Sequence, residues 1–482
     1  MTLSKLLKNT EIITCQGNID IKVSGIAFNS RDVKPGNVFV CISGFKTDGH
    51  QYAQDALERG AVAIVAQREL EEVAATQVVV KNSRLALAHM AGVYYNYPFK
   101  KFCLIGVTGT NGKTTTTYLV KTILESCGQK VGLIGTNQNM IGSAIIPSHH
   151  TTPDSLELMQ LFDRMAKEEV DTVVMEISSH SLALDRVAAC SFDVGAFTNV
   201  TQDHLDFHET MENYIDAKAL LFKMCKTGVI NIDDNASERM ISAASCDVIR
   251  YSTVQDTDLS AKNIEYKADG VVFDLCYNGR CEKIELAIPG RFSVYNALTA
   301  AGCCLATGLG IEKIAKGLKT ATGVKGRIEV VKTNTDYTVI IDYAHTPDGL
   351  VNILNAIRGF AKGRIVTLFG CGGDRDKTKR PQMGKIAGEL SDYCIVTSDN
   401  PRSEEPAAIL NDIIEGIKDT DCEYKVIENR FDAIEYALDN AKKDDIILLA
   451  GKGHEPYQIL KDRTIVFDER EIVLKLIDSA EG

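Results

Sequence analysis

The chain has 482 residues, of which 45% are hydrophobic and 24% are charged, and its formal net charge is −12. This length is too great for one hydrophobic core and predicts about three domains, with the composition of an ordinary soluble globular protein. Nucleic acid and anionic membrane both require a basic protein face, so the acidic balance argues against either as a main partner. The amino-terminal stretch lacks the long apolar segment of a signal peptide, and we expect a cytoplasmic protein.

Strand and helix patterns alternate in the first part of the chain, to about residue 98. VFVCISG, AVAIVAQ and TQVVV are strand-like, and HQYAQDALERG lies between the first two as a helical pattern. The stretch YNYPFKKF indicates a boundary, because Pro98 disfavours helix immediately before it. We therefore expect an N-terminal domain over residues 1–98, a central domain over 99–328 and a C-terminal domain over 329–482.

The strongest local signal is VTGTNGKTT at residues 107–115, between a strand pattern and a helix pattern. Glycines at such a position let backbone N–H groups close on phosphate oxygens at the helix N-terminus. Lys113 adds a positive charge, and Thr114 offers a hydroxyl group to Mg²⁺. The usual phosphate loop has Gly where this chain has Val107, so the loop is a variant. It predicts nucleotide binding.

The later part of the central segment contains three candidate catalytic or metal-binding residues. Glu176 ends the strand-like run DTVVMEIS, where a second Mg²⁺ ligand would complement Thr114. His204, in TNVTQDHLDFH, is equally compatible with a ligand and with a turn histidine. The spacing around Lys218, in ENYIDAKALLF, favours a surface lysine on an amphipathic helix.

Between about residues 258 and 290 the pattern changes to short alternating strands. Asp269-Gly270 and Asn278-Gly279 are hairpin signals, so we expect an antiparallel insert. The chain has 14 cysteines, and neither Cys303-Cys304 nor the pair Cys276 and Cys281 has zinc-site spacing. Most of them are expected to be reduced core residues.

The strand and helix rhythm restarts after GVKGRIEVV. The apolar runs YTVIID, GRIVTLF, YCIV and DDIILLA each lead into a polar motif: YAHTPDG, GCGGDRD, TSDNPR and AGKGHE. Ligands of open α/β sheets lie beyond the carboxyl ends of the strands, so these motifs predict a second ligand site. Arg402 is compatible with a fork for carboxylate or phosphate and with an ordinary solvated arginine. The predicted fold class is α/β in three domains, with a central P-loop-type, mostly parallel sheet, a small antiparallel insert and a Rossmann-like C-terminal domain.

The motifs GTNGKTT, MEISSH, TNVTQDHLDFH, DAKALLF, GRIE, DYAHTPD and AGKGHE resemble, in order and spacing, those of the Mur ligase family. GCGGDRDKTKRP and DNPR resemble the branch of that family that adds meso-diaminopimelate. The resemblance implies an ATP- and Mg²⁺-dependent ligase of peptidoglycan precursor synthesis that acts on UDP-N-acetylmuramoyl-L-Ala-D-Glu (the UDP-MurNAc-dipeptide) through an acyl phosphate. The alternatives are the same ligation with L-lysine, a ligase like folylpolyglutamate synthase, or a plain P-loop ATPase.

The resemblance also implies roles for individual residues. The residues implied to contact ATP are Gly109, Thr110, Asn111, Gly112, Lys113, Thr114, Thr115, Asn296, Arg327 and Asp342. The residues implied to coordinate Mg²⁺ are Thr114, Glu176, His204 and Lys218, the last as a carbamate formed from CO₂ (N6-carboxylysine). The residues implied to bind the UDP-MurNAc-dipeptide are Ser30, His50, Thr151, Thr152, Ser178 and Arg186. The residues implied to bind diaminopimelate are Arg375, Asp399, Asn400, Pro401, Arg402, Gly451 and Glu455.

The family further implies how the three domains share the work. The N-terminal domain would bind the UDP-MurNAc-dipeptide, the central domain ATP and Mg²⁺, and the C-terminal domain the amino acid. We expect a monomer without nucleic-acid or membrane partners, and hinge motion near residues 323–330. Two positions depart from the family pattern, since Leu184 stands where many relatives have Gln and Ser293 where Asn is common.

Overall fold

The structure is a computed structural model that describes residues 1–45, 47–71, 73–148, 150–267 and 269–480. The chain forms two compact units: unit 1 contains Met1–Tyr251 and Gly302–Leu309, and unit 2 contains Ser252–Ala301 and the chain from Gly310 on. Both units combine helices with mostly parallel sheets, which confirms the predicted fold class. Within the described ranges, no helix has the length and apolar character needed to cross a membrane. The domain boundaries near residues 98 and 328 remain predictions.

The first sheet of unit 1 has the strand order β1-β5-β4-β3-β2, with only β1 antiparallel to its neighbour. Its strands are β1 (Ile12–Gln16), β2 (Gly25–Ala27), β3 (Asn37–Val40), β4 (Ala63–Ala66) and β5 (Thr76–Val80). The accompanying helices are α1 (Leu3–Leu6), α2 (Ala53–Glu58) and α3 (Ser83–Tyr94). The sequence predicted β3, β4 and β5, which are almost entirely buried, but not β1, which is exposed along its whole length.

The second sheet of unit 1 carries the phosphate-loop motif at its centre. Its strands are β6 (Cys103–Thr108), β7 (Val131–Ile134), β8 (Asn139–Ile141), β9 (Ala144–Ile146), β10 (Thr172–Glu176), β11 (Phe192–Phe197), β12 (Cys225–Asn231) and β13 (Asp247–Ser252). Its helices are α4 (Lys113–Ser126), α5 (Ser155–Lys167), α6 (Ser179–Ala183), α7 (Leu205–His208), α8 (Met211–Ala219) and α9 (Ser237–Ala243). The order β13-β12-β11-β6-β10-β7 is parallel, and β8 and β9 continue it antiparallel.

Unit 2 begins with the predicted antiparallel insert, formed by β14 (Leu259–Lys267), β15 (Gly270–Tyr277) and β16 (Arg280–Leu286). Asn278 and Gly279 join β15 to β16 with φ values of 49° and 75°, as a two-residue hairpin turn requires. The expectation that most cysteines are reduced is confirmed, with an exception at this hairpin. Cys276 and Cys281 are paired across the two strands and form a disulfide, whereas the 12 other cysteines are free.

The main sheet of unit 2 has the order β17-β18-β22-β19-β20-β21, and only β17 is antiparallel. Its strands, with the separate hairpin β23-β24, are β17 (Glu329–Val331), β18 (Thr338–Asp342), β19 (Ile365–Phe369), β20 (Tyr393–Val396), β21 (Tyr424–Val426), β22 (Ile446–Ala450), β23 (Tyr457–Ile459) and β24 (Thr464–Val466). The remaining helices of the chain are α10 (Arg291–Ala306), α11 (Ile311–Lys319), α12 (Pro347–Arg358), α13 (Lys379–Leu390), α14 (Pro406–Ile417), α15 (Arg430–Asp439) and α16 (Glu469–Ala480). The four strands that end in polar motifs are parallel neighbours, so their carboxyl ends meet at one sheet edge.

Candidate active site

The phosphate loop lies between β6 and α4 and is closely packed. Gly109 has φ 147°, and a Cβ atom there would lie 1.9 Å from the Thr198 hydroxyl oxygen. Gly112, with φ 84°, precedes the first residue of α4. The Lys113 ammonium group donates to the carbonyl oxygens of Gly109 and Thr110, at 2.9 Å each. The predicted arrangement of strand, glycine-rich loop and helix with Lys113 and Thr114 at its first turn is present, and Thr115 follows them in that turn.

Other loop residues are held by the neighbouring segments of unit 1. The Thr110 hydroxyl group is 3.0 Å from the Tyr214 hydroxyl, and the Asn111 N–H group donates to the Asn199 side chain at 3.0 Å. The segment after β11 and helix α8 thus hold the phosphate loop, so its conformation does not depend on the loop sequence alone.

Glu176 lies beside the phosphate loop because β10 and β6 are parallel neighbours, with Glu176 paired with Val107. It is only 1% exposed, and its two carboxylate oxygens accept hydrogen bonds from the N–H and hydroxyl groups of Thr136 at 2.9 and 3.0 Å. Thr114 is 8% exposed at the first turn of α4. The structure thus places a carboxylate and a hydroxyl group on adjacent elements at this sheet edge.

His204 precedes α7 with φ 52°, and about half of its side chain is exposed. Its ring centroid lies 4.8 Å from that of His180 in an edge-to-face arrangement. Its Nε2 atom is 3.5 Å from an Asp203 carboxylate oxygen. This exposed position is accessible to a ligand, but the contacts leave the choice between ligand and turn histidine open.

Lys218 contradicts the interpretation from spacing, which favoured a surface lysine. The residue is 1% exposed, and its ammonium group donates to the Gly109 carbonyl oxygen at 2.9 Å and lies 4.3 Å from the centroid of the Tyr214 ring. Burial, together with the positive charge of Lys113, lowers the pKa of Lys218 well below its ordinary value. The amine therefore meets the phosphate loop with a reduced tendency to carry a proton.

The donor set at this edge fits Mg²⁺. A carboxylate and a hydroxyl group are hard oxygen ligands, and Mg²⁺ is typically held by one or two protein carboxylates together with substrate phosphates and water. Among the described residues, no group of three His, Cys, Asp or Glu side chains is arranged to hold a metal by itself. A metal ion here would accordingly need phosphate oxygens or a modified side chain to complete its coordination.

Four of the residues predicted to meet the nucleotide-sugar substrate converge around the end of β10. The Thr152 hydroxyl group donates to the Glu176 carbonyl oxygen at 2.8 Å and accepts from the Ser178 N–H group at 3.1 Å. The Arg186 guanidinium group donates to the Thr152 carbonyl oxygen at 3.0 Å. Thr151 joins them indirectly, since its hydroxyl oxygen is 3.0 Å from that of Thr136, which holds Glu176.

The other two residues of that set, Ser30 and His50, lie in short 3-10 helices of the first sheet region, Ser30–Asp32 and Gly49–Tyr52. Both are buried. The His50 ring contacts the Asp48 carboxylate at 2.6 Å through Nδ1 and accepts from the Gln67 N–H group at 3.0 Å through Nε2. Both ring nitrogens therefore already have protein partners, and a ligand would have to replace one of them.

In unit 2, Asp342 ends β18 at the predicted second edge. Its carboxylate accepts the N–H groups of Ile328 at 2.9 Å and Ala344 at 2.8 Å. Burial raises its pKa, while the nearby charge of Arg327 opposes that shift. Arg327 also stacks over the Tyr343 ring at 5.2 Å, and Asn296 is buried within α10.

The loops after β19 and β20 form one cluster that brings Arg375 and Arg402 together. A Cβ atom placed on Gly372 would lie 2.8 Å from the Arg402 guanidinium nitrogen and 3.8 Å from the Arg375 side chain. The Arg402 guanidinium donates to the Gly373 carbonyl oxygen at 2.8 Å, and the backbone at Arg402 has φ 52°. Gly373 approaches the Pro401 carbonyl oxygen so closely that a Cβ atom would lie 1.9 Å from it.

The loop after β22 joins the same cluster. The Asn400 side-chain amide donates to the Glu455 carboxylate at 2.9 Å. Gly451, with φ 110°, lies beside the Asp399 carboxylate, where a Cβ atom would be 3.3 Å from its oxygen. The structure thus brings together all seven residues predicted to bind the amino acid. What each of them binds remains a prediction.

Sequence reasoning missed two buried cations in this cluster. Arg380 is 0% exposed and pairs with Glu404 at 2.9 Å and Asp412 at 2.8 Å. The hydrogen bond from Arg380 lowers the pKa of Glu404 to about 2, and the same carboxylate accepts the Asp374 N–H group at 2.6 Å. Lys452, also 0% exposed, lies among Asp399, Asn400 and Glu455. A charged residue in a glycine-rich or basic run gives no sequence signal of such burial.

Three family models match the chain in order along its length. They are described as "Mur ligase family, catalytic domain" for residues 22–95, "Mur ligase middle domain" for 107–304 and "Mur ligase, glutamate ligase domain" for 326–453. A relative from Caldanaerobacter subterraneus named UDP-N-acetylmuramoyl-L-alanyl-D-glutamate--2,6-diaminopimelate ligase is 51% identical over 483 residues and covers 100% of both chains. A relative in Clostridium acetobutylicum, named as the same ligase with the number 1, is 50% identical and covers 99% of both chains.

Solved structures give the same picture at the level of the fold. A structure of a ligase with the same name superposes with a TM-score of 0.75 at 30% identity and covers 100% of this chain and 99% of its own. Folylpolyglutamate synthase from Mycobacterium tuberculosis, with ADP, gives a TM-score of 0.61 at 19% identity and covers 76% of this chain and 91% of its own. The second likeness concerns the fold alone.

Proposed function

This chain belongs to the Mur ligase family, and on that premise we propose that it joins meso-diaminopimelate to UDP-N-acetylmuramoyl-L-Ala-D-Glu with hydrolysis of ATP. The observation that carries the proposal is the 51% identity over 483 residues to a ligase of that name. The product is an amide of the peptidoglycan precursor, and ADP and phosphate are released. We further propose that the enzyme is a cytoplasmic monomer; sedimentation of the purified protein tests the oligomeric state, and fractionation of cells tests the location.

The first chemical step activates the acid, because joining an amine to a carboxylate in water is uphill. The D-Glu carboxylate oxygen attacks the γ-phosphorus of ATP, the bond to the β-phosphate oxygen breaks, and ADP leaves an acyl phosphate. Two anionic reactants must approach, so Lys113 and the N–H groups of the phosphate loop stabilise the charge on the transferred group. Bound Mg²⁺, held by Thr114, Glu176 and His204, would supply further positive charge on the phosphate oxygens.

Lys218 is proposed to act as a carbamate. Its amine is buried and its pKa is lowered, so a larger fraction of it is the neutral, nucleophilic amine than in an ordinary lysine. The ammonium group first loses one proton; the neutral nitrogen then bonds to the carbon of CO₂, the electrons of one C–O π bond move to oxygen, and the nitrogen loses a second proton. A cation is thereby converted into a carboxylate-like anion. Such a group beside Gly109 supplies the oxygen ligand that the described protein carboxylates alone do not.

The second chemical step uses the amine donor. An amino group of diaminopimelate attacks the acyl carbon, the tetrahedral adduct expels phosphate, and the nitrogen loses a proton. Diaminopimelate differs from lysine by a carboxylate on its far end. We assign that carboxylate to Arg402, the distal ammonium group to Glu455 and the other carboxylate to Arg375, because these side chains meet in one cluster.

The substrate test is phosphate release by the purified protein with ATP, Mg²⁺ and the UDP-MurNAc-dipeptide, with meso-diaminopimelate, L-lysine or no amine. We expect release only with diaminopimelate. Arg402→Ala should lower kcat/KM for diaminopimelate by about 30-fold to several-thousand-fold, because a desolvated charge without its partner costs about 2 to 5 kcal/mol. Arg358→Ala, which removes an exposed guanidinium paired with Asp392, is the matched control and should leave this preference unchanged.

Each other result identifies a different function. Equal turnover with lysine would keep the ligase and refute the assignment of Arg402. Release without any amine would indicate a plain ATPase. Turnover with a folate and glutamate instead would indicate a folylpolyglutamate synthase. The solved structure of such an enzyme described above is 19% identical in sequence to this chain.

A further inference from the structure

We propose that Lys452 is a positioning residue of the amine-donor site, where it fixes the orientation of the Asn400 amide and the Glu455 carboxylate. The inference rests on the proposed function, because it assigns Lys452 a role in the binding of the amine. Lys452 itself is 0% exposed, so its ammonium group cannot reach a ligand from solvent. Any effect on the substrate must pass through its neighbours.

The hydrogen-bond and ion-pair contacts of Lys452 connect three neighbouring side chains. Its Nζ atom is 3.1 Å from the Asn400 amide oxygen, 3.4 Å from an Asp399 carboxylate oxygen and 3.6 Å from a Glu455 carboxylate oxygen. Asn400 in turn donates from its amide nitrogen to that same Glu455 oxygen at 2.9 Å. One buried cation thus contacts three residues that lie on two different loops.

This arrangement determines which atom of the Asn400 amide faces Glu455. The amide oxygen accepts from Lys452 and from the Ile459 N–H group at 2.9 Å, so the amide nitrogen must point to the carboxylate. Without the lysine, one of the two donors that hold the oxygen is lost. The amide could then rotate and present its oxygen to Glu455, which would repel that carboxylate.

Charge acts in the same direction as the hydrogen bonds. The Asp399 side chain is 8% exposed and the Glu455 side chain is 17% exposed, and Lys452 lies within 3.6 Å of both carboxylates. Removal of the cation leaves two poorly solvated carboxylates without their shared partner, and Glu455, the more exposed one, can turn toward water. A carboxylate that has turned away no longer meets the ammonium group of the amine donor.

The test is Lys452→Met, which keeps most of the length of the side chain and removes its charge. We expect the KM for diaminopimelate to rise by about 10- to 100-fold, as the loss of a charged hydrogen bond predicts. The KM values for ATP and for the UDP-MurNAc-dipeptide should stay within about 2-fold, which a general loss of structure would not allow. Arg364→Met is the matched control, because it breaks a pair with Asp445 before the first residues of β19 and β22, at the other edge of the sheet.

A second variant covers the case in which Lys452→Met does not fold. Lys452→Met with Asp399→Asn removes one positive and one negative charge, so no pair of carboxylates is left facing each other. We expect the double variant to fold and to have a KM for diaminopimelate between that of Lys452→Met and that of the wild type. Suppose that the wild type requires diaminopimelate. Equal changes in all three KM values, or no change in the KM for diaminopimelate, would then refute the role of Lys452. A wild type that needs no amine would refute the proposed function instead.

Discussion

Gly109→Ala tests whether the phosphate loop depends on the close approach of its backbone to Thr198. The new Cβ atom would lie 1.9 Å from the Thr198 hydroxyl oxygen, about 1.5 Å closer than the 3.4 Å of ordinary contact. Thr198 cannot easily yield, because it is 2% exposed and its hydroxyl group is 2.7 Å from the Asn111 carbonyl oxygen. Overpacking costs about 1 to 3 kcal/mol and an unfavourable φ about 1 to 2 kcal/mol more.

Together these terms amount to about 2 to 5 kcal/mol, or about a 30-fold to several-thousand-fold loss if they fall on the ATP-bound state. The assay is the kcat/KM for ATP in the phosphate-release reaction, with the melting temperature measured in parallel. Gly128→Ala is the matched control, because Gly128 follows the other end of α4, has φ 85° and has no atom within 4 Å of the added Cβ. The control should cost about 1 kcal/mol of stability and leave the kcat/KM for ATP unchanged. The reasoning is refuted if Gly109→Ala keeps its kcat/KM for ATP within about 2-fold of the wild type, or if Gly128→Ala loses as much.

Two further predictions concern charged side chains. The folded-state pKa of Glu404 is lowered from 4.5 to about 2, so its interactions stabilise the protein above pH 4.5 and this stabilisation is lost as pH falls toward 2. Glu404→Gln should therefore flatten the curve of unfolding free energy against pH between these values. An identical slope in the variant and the wild type would contradict the prediction. If Lys218 acts as a carbamate, removal of CO₂ from the buffer should lower the activity of the wild type, and bicarbonate should restore it. Lys218→Met should be inactive with and without bicarbonate. Wild-type activity that does not depend on CO₂ would count against the carbamate.

The sequence predicted well those parts of the site whose functional residues lie close together in the chain. The phosphate loop is of this kind, because strand, glycines, Lys113 and helix follow one another within one short segment. The second edge was predictable for a different reason. Buried strands β18, β19, β20 and β22 each end in a polar motif, and a parallel sheet places such ends together.

The parts that were missed depend on contacts between distant segments. The spacing of apolar residues predicted a surface position for Lys218. The prediction failed because the ammonium group contacts the Gly109 carbonyl oxygen, 109 residues earlier in the chain, and the local sequence does not show that contact. Arg380 lies in the basic run DKTKRP, which is typical of a solvated surface, yet Glu404 and Asp412 enclose it from two later segments. Only the fold determines which of the many charged residues meet such partners.

The position of Lys113 against the carbonyl oxygens of its own loop has a consequence for selectivity among anions. Its ammonium group already donates to two carbonyl oxygens, so an arriving anion competes with hydrogen bonds worth about 1.5 to 3 kcal/mol each. A small ion such as sulfate or free phosphate replaces these bonds with few others and gains little. A triphosphate that also reaches the N–H groups at the start of α4 makes more hydrogen bonds, which offset the cost of this competition. The loop should therefore favour a nucleotide over the inorganic anions of its surroundings.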